Sequence, residues 1–327
     1  MNSFNYEYPV RQYFGKGCAE EAIKKEMKSV GGRVLLAYGG GSLKRTGLYD
    51  KIRSWLEECG KQVTDFGGIM PNPTYAKVQE GARMVRENRI EFILAVGGGS
   101  VIDCCKIVSA QALMDEDVWD AWYVSHRLPN EFVPMGAVVT ASGTGAEQNN
   151  GAVITHEQKK LKQPLFGAFH SFAILDSDLT KTLPMKQVVS GAFDTLSHCM
   201  ETYMGKPQTT NLTDEINEAV MRNVIKNLRA IIDNPDDDFA RGELMWASAL
   251  AENVWGVKGE TIATTAALGI DALEAFIKEI GMPTRWSEMG ITDENVLHAA
   301  ADTCFITPGC CRQLSRDEIF GILKECT

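Results

Sequence analysis

Short, almost continuously apolar runs alternate with amphipathic stretches over the first half of the chain. RVLLAY (33–38), QVTDFGG (62–68), EFILAV (91–96), MGAVVT (135–140) and FAILD (172–176) read as strands. EFILAV is the clearest, because unbroken apolar character suits a parallel strand covered on both faces. Between these runs, residues 48–59 and 75–88 carry apolar positions at helical spacing. Strands alternating with helices predict an α/β sheet with right-handed crossovers. After LTKTLP the period changes. From residue 186 onward the spacing is helical and no stretch reads as a strand. Residues 214–232 repeat that spacing, as do 268–280, which run into Gly281 and Pro283, a helix stop. The change falls within 176–184. It predicts an α/β domain over 1–180 and an all-α domain over 181–327.

The 327 residues are enough for two domains with a large core. Thirty-three basic residues face 43 acidic ones, for a net charge of −10. That balance argues against nucleic acid or an anionic membrane as the partner, and leaves room for a local basic pocket. No apolar run is long enough to span a bilayer. The opening residues lack a signal-peptide pattern, so a cytoplasmic location is expected. The nine cysteines include two adjacent pairs, Cys104-Cys105 and Cys310-Cys311, but no CxxC. Free, mostly buried thiols fit better than a zinc ribbon or redox motif.

Three loops, each following an apolar strand, carry candidate chemistry. GGGSVIDCCK (97–106) joins the strongest strand to a helix. Glycines let a backbone approach a phosphate, and a helix N-terminus offers free N–H groups. An ordinary glycine-rich βα turn is the alternative, since the GxGxxG fingerprint is absent. YGGGSLKRTG (38–47) has the same layout without a carboxylate at the strand end. Small residues beside Lys44 and Arg45 suit a ribose 2′-phosphate, unless both cations are simply solvated. TASGTGAEQNNGAVIT (140–155) offers hydroxyls and glycines for a pyrophosphate or ribose, or else forms a polar hairpin loop. Farther on, GAFDTLSHCMETY places Asp194 and His198 four residues apart, one turn apart on one helix face. An oxygen and a nitrogen donor there can share a divalent cation; a polar pair lining a cleft is the metal-free alternative. Trp119, Trp122 and Phe193 either line an apolar pocket for small aliphatic aldehydes or belong to the core.

The ordered set GGGS, PNP, GGGSVIDCCK, TASGTGAE, ILDSDLTKTLP and FDTLSHCMETY closely resembles the iron-containing (group III) alcohol dehydrogenases. It is most similar to their NADPH-dependent butanol dehydrogenase branch. The resemblance runs from residue 1 to about 252 and resumes from Val254 to the end. It implies a dehydroquinate synthase-like architecture, with a dinucleotide-binding α/β domain followed by an all-helical domain. It implies NADP(H) and a divalent metal, Fe or Zn, acting on small alcohols or aldehydes, in a homodimer. By position, Gly97, Gly98, Gly99 and Ser100 would hold the pyrophosphate, with Asp103 supporting that turn. Gly39, Gly40, Ser42 and Lys44 would surround the adenosine ribose and its 2′-phosphate, with Asn72 nearby. Thr140, Ser142 and Thr144 would line the groove, and Lys162, Leu179 and Thr182 would lie along the rest of the cofactor. Asp194 and His198 match the first two metal ligands.

The chain departs from that pattern after MWASALAEN, which runs straight into VWGVKGE. The family carries several dozen residues here, including two further histidine ligands. His298, the only histidine after His198, reads as an exposed or packed helix residue. The helical domain is therefore expected to be shortened, with metal weakly bound or absent. Two functional expectations follow: an NADP(H)-dependent alcohol dehydrogenase or aldehyde reductase, or an NADP-binding protein without metal-dependent turnover.

Overall fold

The computed structural model describes residues 8–203, 211–251, 273–304 and 314–327. Its described residues fall into two compact units. The larger holds those of Phe4–His198 and Ala219–Asn253; the smaller holds those of Cys199–Glu218 and Val254–Thr327.

The larger unit is built on a six-stranded parallel sheet. Its strands are β1 (Arg11–Phe14), β2 (Arg33–Tyr38), β3 (Gln62–Phe66), β4 (Phe92–Gly97), β5 (Met135–Val139) and β8 (Phe172–Leu175), in the order β1-β8-β5-β4-β2-β3. All five pairings are parallel, with Val34 opposite Phe92 and Ile93 opposite Met135. The five strands read from the sequence are all present. The strand period of two sorts their side chains onto two faces. Leu35, Ala37, Ile93, Ala95, Ala137, Val139, Ala173 and Leu175 share one core with α4 (Tyr75–Glu87) and α5 (Gly99–Gln111). Val34, Leu36, Phe92, Leu94, Val138, Phe172 and Ile174 share the other with α1 (Ala19–Glu26) and α3 (Leu48–Glu58). Each fully buried large side chain contributes about 1.5–3 kcal/mol. Gly136 leaves the space that the Phe172 ring fills, and Phe172 stacks on Phe92 at 5.9 Å.

Helix α5 is buried along nearly its whole length, including Lys106. It is covered partly by an antiparallel hairpin, β6 (Gly151–His156) with β7 (Leu161–Phe166). The polar loop reading of 140–155 therefore holds only for its first part; from Gly151 the chain is a strand. The hairpin is moored on two sides. Asp103 Oδ2 on α5 accepts from Val153 N–H at 2.9 Å, and Pro73 O accepts from Thr155 N–H at 3.0 Å. Trp119, on α6 (Val118–Tyr123), is 2% exposed and packs edge-on against Tyr75 and His156, so it belongs to the core rather than to a substrate pocket.

Past residue 184 the described elements are helical: α7 (Met185–Tyr203), α8 (Asn211–Asp233), α9 (Asp238–Ala251), residues 273–279, Glu294–Thr303 and Arg316–Glu325. On α8, Val220, Val224, Leu228 and Ile231 are buried at helical spacing. On α9, Met245 and Ala249 join the sheet core. The stop read at Gly281 is real. Its φ is +71° and Met282 N–H caps back onto Ile277 O at 3.0 Å, a left-handed termination that glycine adopts at little cost. Residues 268–272 of that segment lie outside the described residues, as do Cys310 and Cys311. Among the described cysteines, all free, Cys104, Cys105 and Cys199 are buried. No described helix is long and apolar enough to cross a membrane.

Candidate functional site

The strand order reverses beside β2. The chain steps outward from β2 to β3, then returns to place β4 on the other edge of β2. Such a switch point opens a crevice beyond the carboxyl ends of the strands. Both GGGS turns lie there, because β2 and β4 are hydrogen-bonded neighbours with Tyr38 opposite Val96. The 140–145 loop follows the next strand, β5, and the 176–184 turn follows β8.

The glycines in these turns answer to different demands. A Cβ on Gly99 would strike the Thr144 side chain, and one on Gly98 would sit 3.1 Å from Ala141 Cβ. Packing of the 140–145 loop against the start of α5 therefore requires both. Gly97 is crowded by Val101, and Gly39 by Ile69 O at 3.3 Å. Gly40 differs: its φ is ordinary and no atom lies within 4 Å of its missing Cβ. Neither packing nor backbone geometry demands glycine there, and the bare backbone leaves open space at the switch point. Thirteen-residue α5 begins at Gly99, and the first N–H groups of a helix have no acceptor within it. Glycine backbone, open space and a helix start are what a pyrophosphate needs, so the loops fit a dinucleotide.

Around Gly40, Ser42 begins the short helix α2 (Ser42–Arg45) and is exposed. The Lys44 ammonium lies over the Tyr49 and Tyr38 rings, 4.7 and 5.4 Å from their centroids. The Tyr38 hydroxyl, then Tyr49 and Asp65, raise its pKa above the ordinary lysine value, so it stays a cation. Asn72 and Lys162, both exposed, are brought together across 90 residues: Lys162 Nζ donates to Asn72 Oδ1 at 2.8 Å. Asn72 is left-handed, with φ +53°. Thr140 and Ser142 are half-buried and Thr144 is exposed. Leu179 packs against the second core face, and Thr182 is exposed. Their turn is fixed by the buried Asp176 carboxylate, which accepts from the N–H groups of Gly17 (2.8 Å), Ala19 (3.1 Å) and Asp178 (3.1 Å).

Asp103 faces the hairpin. Burial raises its pKa, while the Lys106 ammonium and the Val153 N–H oppose that rise. Lys106, fully buried, donates to Asn149 Oδ1 at 2.9 Å and Gly151 O at 2.6 Å. This cation was not singled out in the sequence. It sits in a helix most of whose other positions are apolar, and an exposed stripe is absent; that is the only signal it leaves.

Asp194 and His198 stand on α7, both half-buried. Among the described residues no group of three or more His, Cys, Asp or Glu side chains is arranged to hold a metal ion. The remaining four histidines are all described, and none forms such a group with Asp194 and His198. His126 is exposed and His156 stacks on Tyr75. His170 is buried, which with nearby Lys106 holds its pKa well below the ordinary value. His298 is exposed on a helix of the smaller unit, where it stacks on Phe320 at 3.5 Å, one of the two placements read from the sequence. A catalytic zinc-type centre uses three protein ligands, so these two donors do not by themselves fit a resident metal.

The profile of a family described as "Iron-containing alcohol dehydrogenase" matches residues 9–177. The chain belongs to the iron-containing alcohol dehydrogenases. A second profile, "Fe-containing alcohol dehydrogenase family, C-terminal", matches residues 188–260. Membership places the chain among metal-containing oxidoreductases of the butanol dehydrogenase-like kind. It is 32% identical to a "Probable NADH-dependent butanol dehydrogenase 1" of Bacillus subtilis, covering 99% of both chains. That alignment runs to 389 positions where this chain has 327 residues, so at least 62 of them face a gap here. It is 36% identical to the "NADPH-dependent aldehyde reductase YqhD" of Escherichia coli over 88% of this chain and 76% of that one. Against "NADH-dependent butanol dehydrogenase A" of Clostridium acetobutylicum it spans 65% of the relative's length, at 37% identity over 77% of this chain. Among solved structures, NADH-dependent butanol dehydrogenase A from Thermotoga maritima superposes with a TM-score of 0.91 at 27% identity, covering 100% of this chain and 99% of that one. The parallel α/β region and the helical region expected from the sequence are those of this fold.

Proposed function

We propose that the protein binds NADP(H) and descends from reductases of small aliphatic aldehydes and alcohols. The observation that carries this is the convergence of four loops beyond β2, β4, β5 and β8, with the open Gly40 backbone and the start of α5 at the switch point. Gly97, Gly98, Gly99 and Ser100 would hold the pyrophosphate. Gly40, Ser42 and Lys44 would meet the ribose and its phosphate. Thr140, Ser142, Thr144, Leu179 and Thr182 would line the nicotinamide end, and Lys162 with Asn72 would close one side. The chemistry supplied by the nicotinamide when bound is hydride exchange with a carbonyl or carbinol carbon. The chain's own part is to fix that ring against the substrate and to keep water out. A homodimer completes the reading.

The relatives' names divide between NADH and NADPH. Lys44, held over two aromatic rings beside a strand end without a carboxylate, supports NADPH here. Titration by nicotinamide fluorescence is expected to give tighter binding of NADPH than of NADH. Gly40→Asp enters open space, whereas an aspartate at Gly39 would crowd Ile69 O. It should therefore leave the fold intact and weaken NADPH about tenfold or more through repulsion of the 2′-phosphate, while sparing NADH. Equal affinities in the wild type would sink the assignment.

A second reading rests on the two-donor half-site and the gap of at least 62 positions. In it the chain keeps the dinucleotide site and has lost metal-dependent turnover. Asp194 and His198 must leave most coordination positions to water, which forfeits affinity and orientation. Dialysed protein is expected to retain well under one Fe or Zn per chain and to oxidise NADPH slowly or not at all with butyraldehyde. Stoichiometric metal that disappears in His198→Ala, together with brisk turnover, would restore the full enzyme.

A further inference from the structure

The 140–145 loop is held at one residue from two helices. Gly143 N–H donates to Ser248 Oγ on α9 at 2.8 Å. Thr195 Oγ1 on α7 shares its proton between Gly143 O at 3.3 Å and Gly191 O at 3.1 Å. Gly143 has φ +150°, and a Cβ there would lie 2.6 Å from Gly191 Cα; a Cβ on Gly191 would overlap Ser142 O. Loop and helix thus meet backbone to backbone, with no side chain between them. Seven residues before Ser248, on the same face of α9, stands Arg241. It is 4% exposed and its Nη1 donates to Thr180 O at 2.9 Å and Thr180 Oγ1 at 3.3 Å. Its Nε donates to Pro235 O at 2.8 Å. Ser142, Thr180, Thr195 and Arg241 all line one cavity of about 20 Å³, so the two loops approach each other where the helices grip them.

We infer that Thr195, Arg241 and Ser248 are positioning residues. They fix the 140–145 loop and the 176–184 turn against each other and against the helix that bears Asp194 and His198. This rests on the reading of both loops as the nicotinamide end of a dinucleotide site. None of the three need touch the cofactor; each acts through backbone of a loop that does. The arrangement makes α9 a ruler, with Arg241 and Ser248 at the two marks. All three positioning residues stand in the larger unit.

The test uses the whole chain and two ligands. Adenosine 2′,5′-bisphosphate occupies only the end near Gly40 and Lys44, whereas NADPH also needs the gripped loops. Thr195→Val keeps the side-chain shape and removes the hydroxyl; Ser248→Ala removes the other. Each is expected to weaken NADPH at least fivefold and to leave adenosine 2′,5′-bisphosphate within twofold of wild type. Thr195→Ser restores the hydroxyl and should bring NADPH affinity back to within twofold. Equal losses for both ligands, or a loss that Thr195→Ser does not rescue, would mark general damage and overturn the inference. Variants that bind NADPH as the wild type does would overturn it alone. A wild type that binds neither ligand would overturn the dinucleotide reading and the positioning role with it.

Discussion

Gly191→Ala is expected to open the join between α7 and the 140–145 loop and to abolish tight NADPH binding. In an exposed helix this change gains about 1 kcal/mol of helix propensity. Here the new methyl would overlap Ser142 O, a backbone atom held in place by its neighbour Gly143, whose own Cβ space is filled by Gly191 Cα. A flexible side chain could swing aside; two backbones in contact must separate. Overpacking costs about 1–3 kcal/mol, and backbone contact on both sides puts this site at the upper end, so the clash outweighs the propensity gain. The separation also lengthens the Thr195 and Ser248 bonds to Gly143. The measurable outcome is a lower unfolding midpoint together with at least a tenfold loss of NADPH affinity. A variant as stable as wild type with unchanged affinity would show that the loop can retreat freely.

Lys106→Met is the second large effect. Methionine nearly preserves the volume but removes an ammonium that holds Asn149 Oδ1 and Gly151 O and faces Asp103 at 3.9 Å. Removing one partner of a buried charged group costs about 3–5 kcal/mol, far more than the change in packing. The loss should depend on pH. Burial already raises the Asp103 pKa and Lys106 opposes that rise, so without the cation it climbs further. A carboxyl whose folded pKa lies above its unfolded value takes up its proton earlier in the folded state, and acidification then favours folding. The variant should be weakest at neutral pH and regain part of its stability as pH falls toward the Asp103 range. Adding Asp103→Asn should recover part of the loss at neutral pH. A denaturation series at several pH values reads both, and a pH-independent deficit would exclude Asp103 as the group responsible.

The sheet was legible because its central strands are buried on both faces, and EFILAV and RVLLAY can hardly be anything else. The edge strand RQYF was not, since two exposed and two half-buried residues carry no pattern. GAVITH does alternate, with Ala152, Ile154 and His156 buried. Its partner LKQPLF hides the pairing behind Pro164 and two polar residues. The candidate cofactor loops were visible as glycine and hydroxyl clusters after strands. Which glycines packing demands emerged only from the space beside each, and Gly40, with nothing within 4 Å, is not one of them. Thr195 and Ser248 sit next to recognisable motifs, yet their bonds reach 52 and 105 residues along the chain, and sequence spacing carries no trace of such contacts.

The larger unit is not continuous along the chain. Its sheet is complete by Leu175, but the chain leaves the unit after His198 and returns at Ala219. About 55 residues separate His198 from Asn253, the last of the unit. At a synthesis rate of about 5–20 residues per second, those residues take about 3–11 s to appear. Over about the first 40 of those residues, before Arg241 is reached, a nascent chain has its βα core and its glycine turns while neither Arg241 nor Ser248 yet exists. The grip of α9 on the 140–145 loop therefore forms late within its own folding unit, and a ribosome stalled before α9 would present a sheet with an ungripped loop.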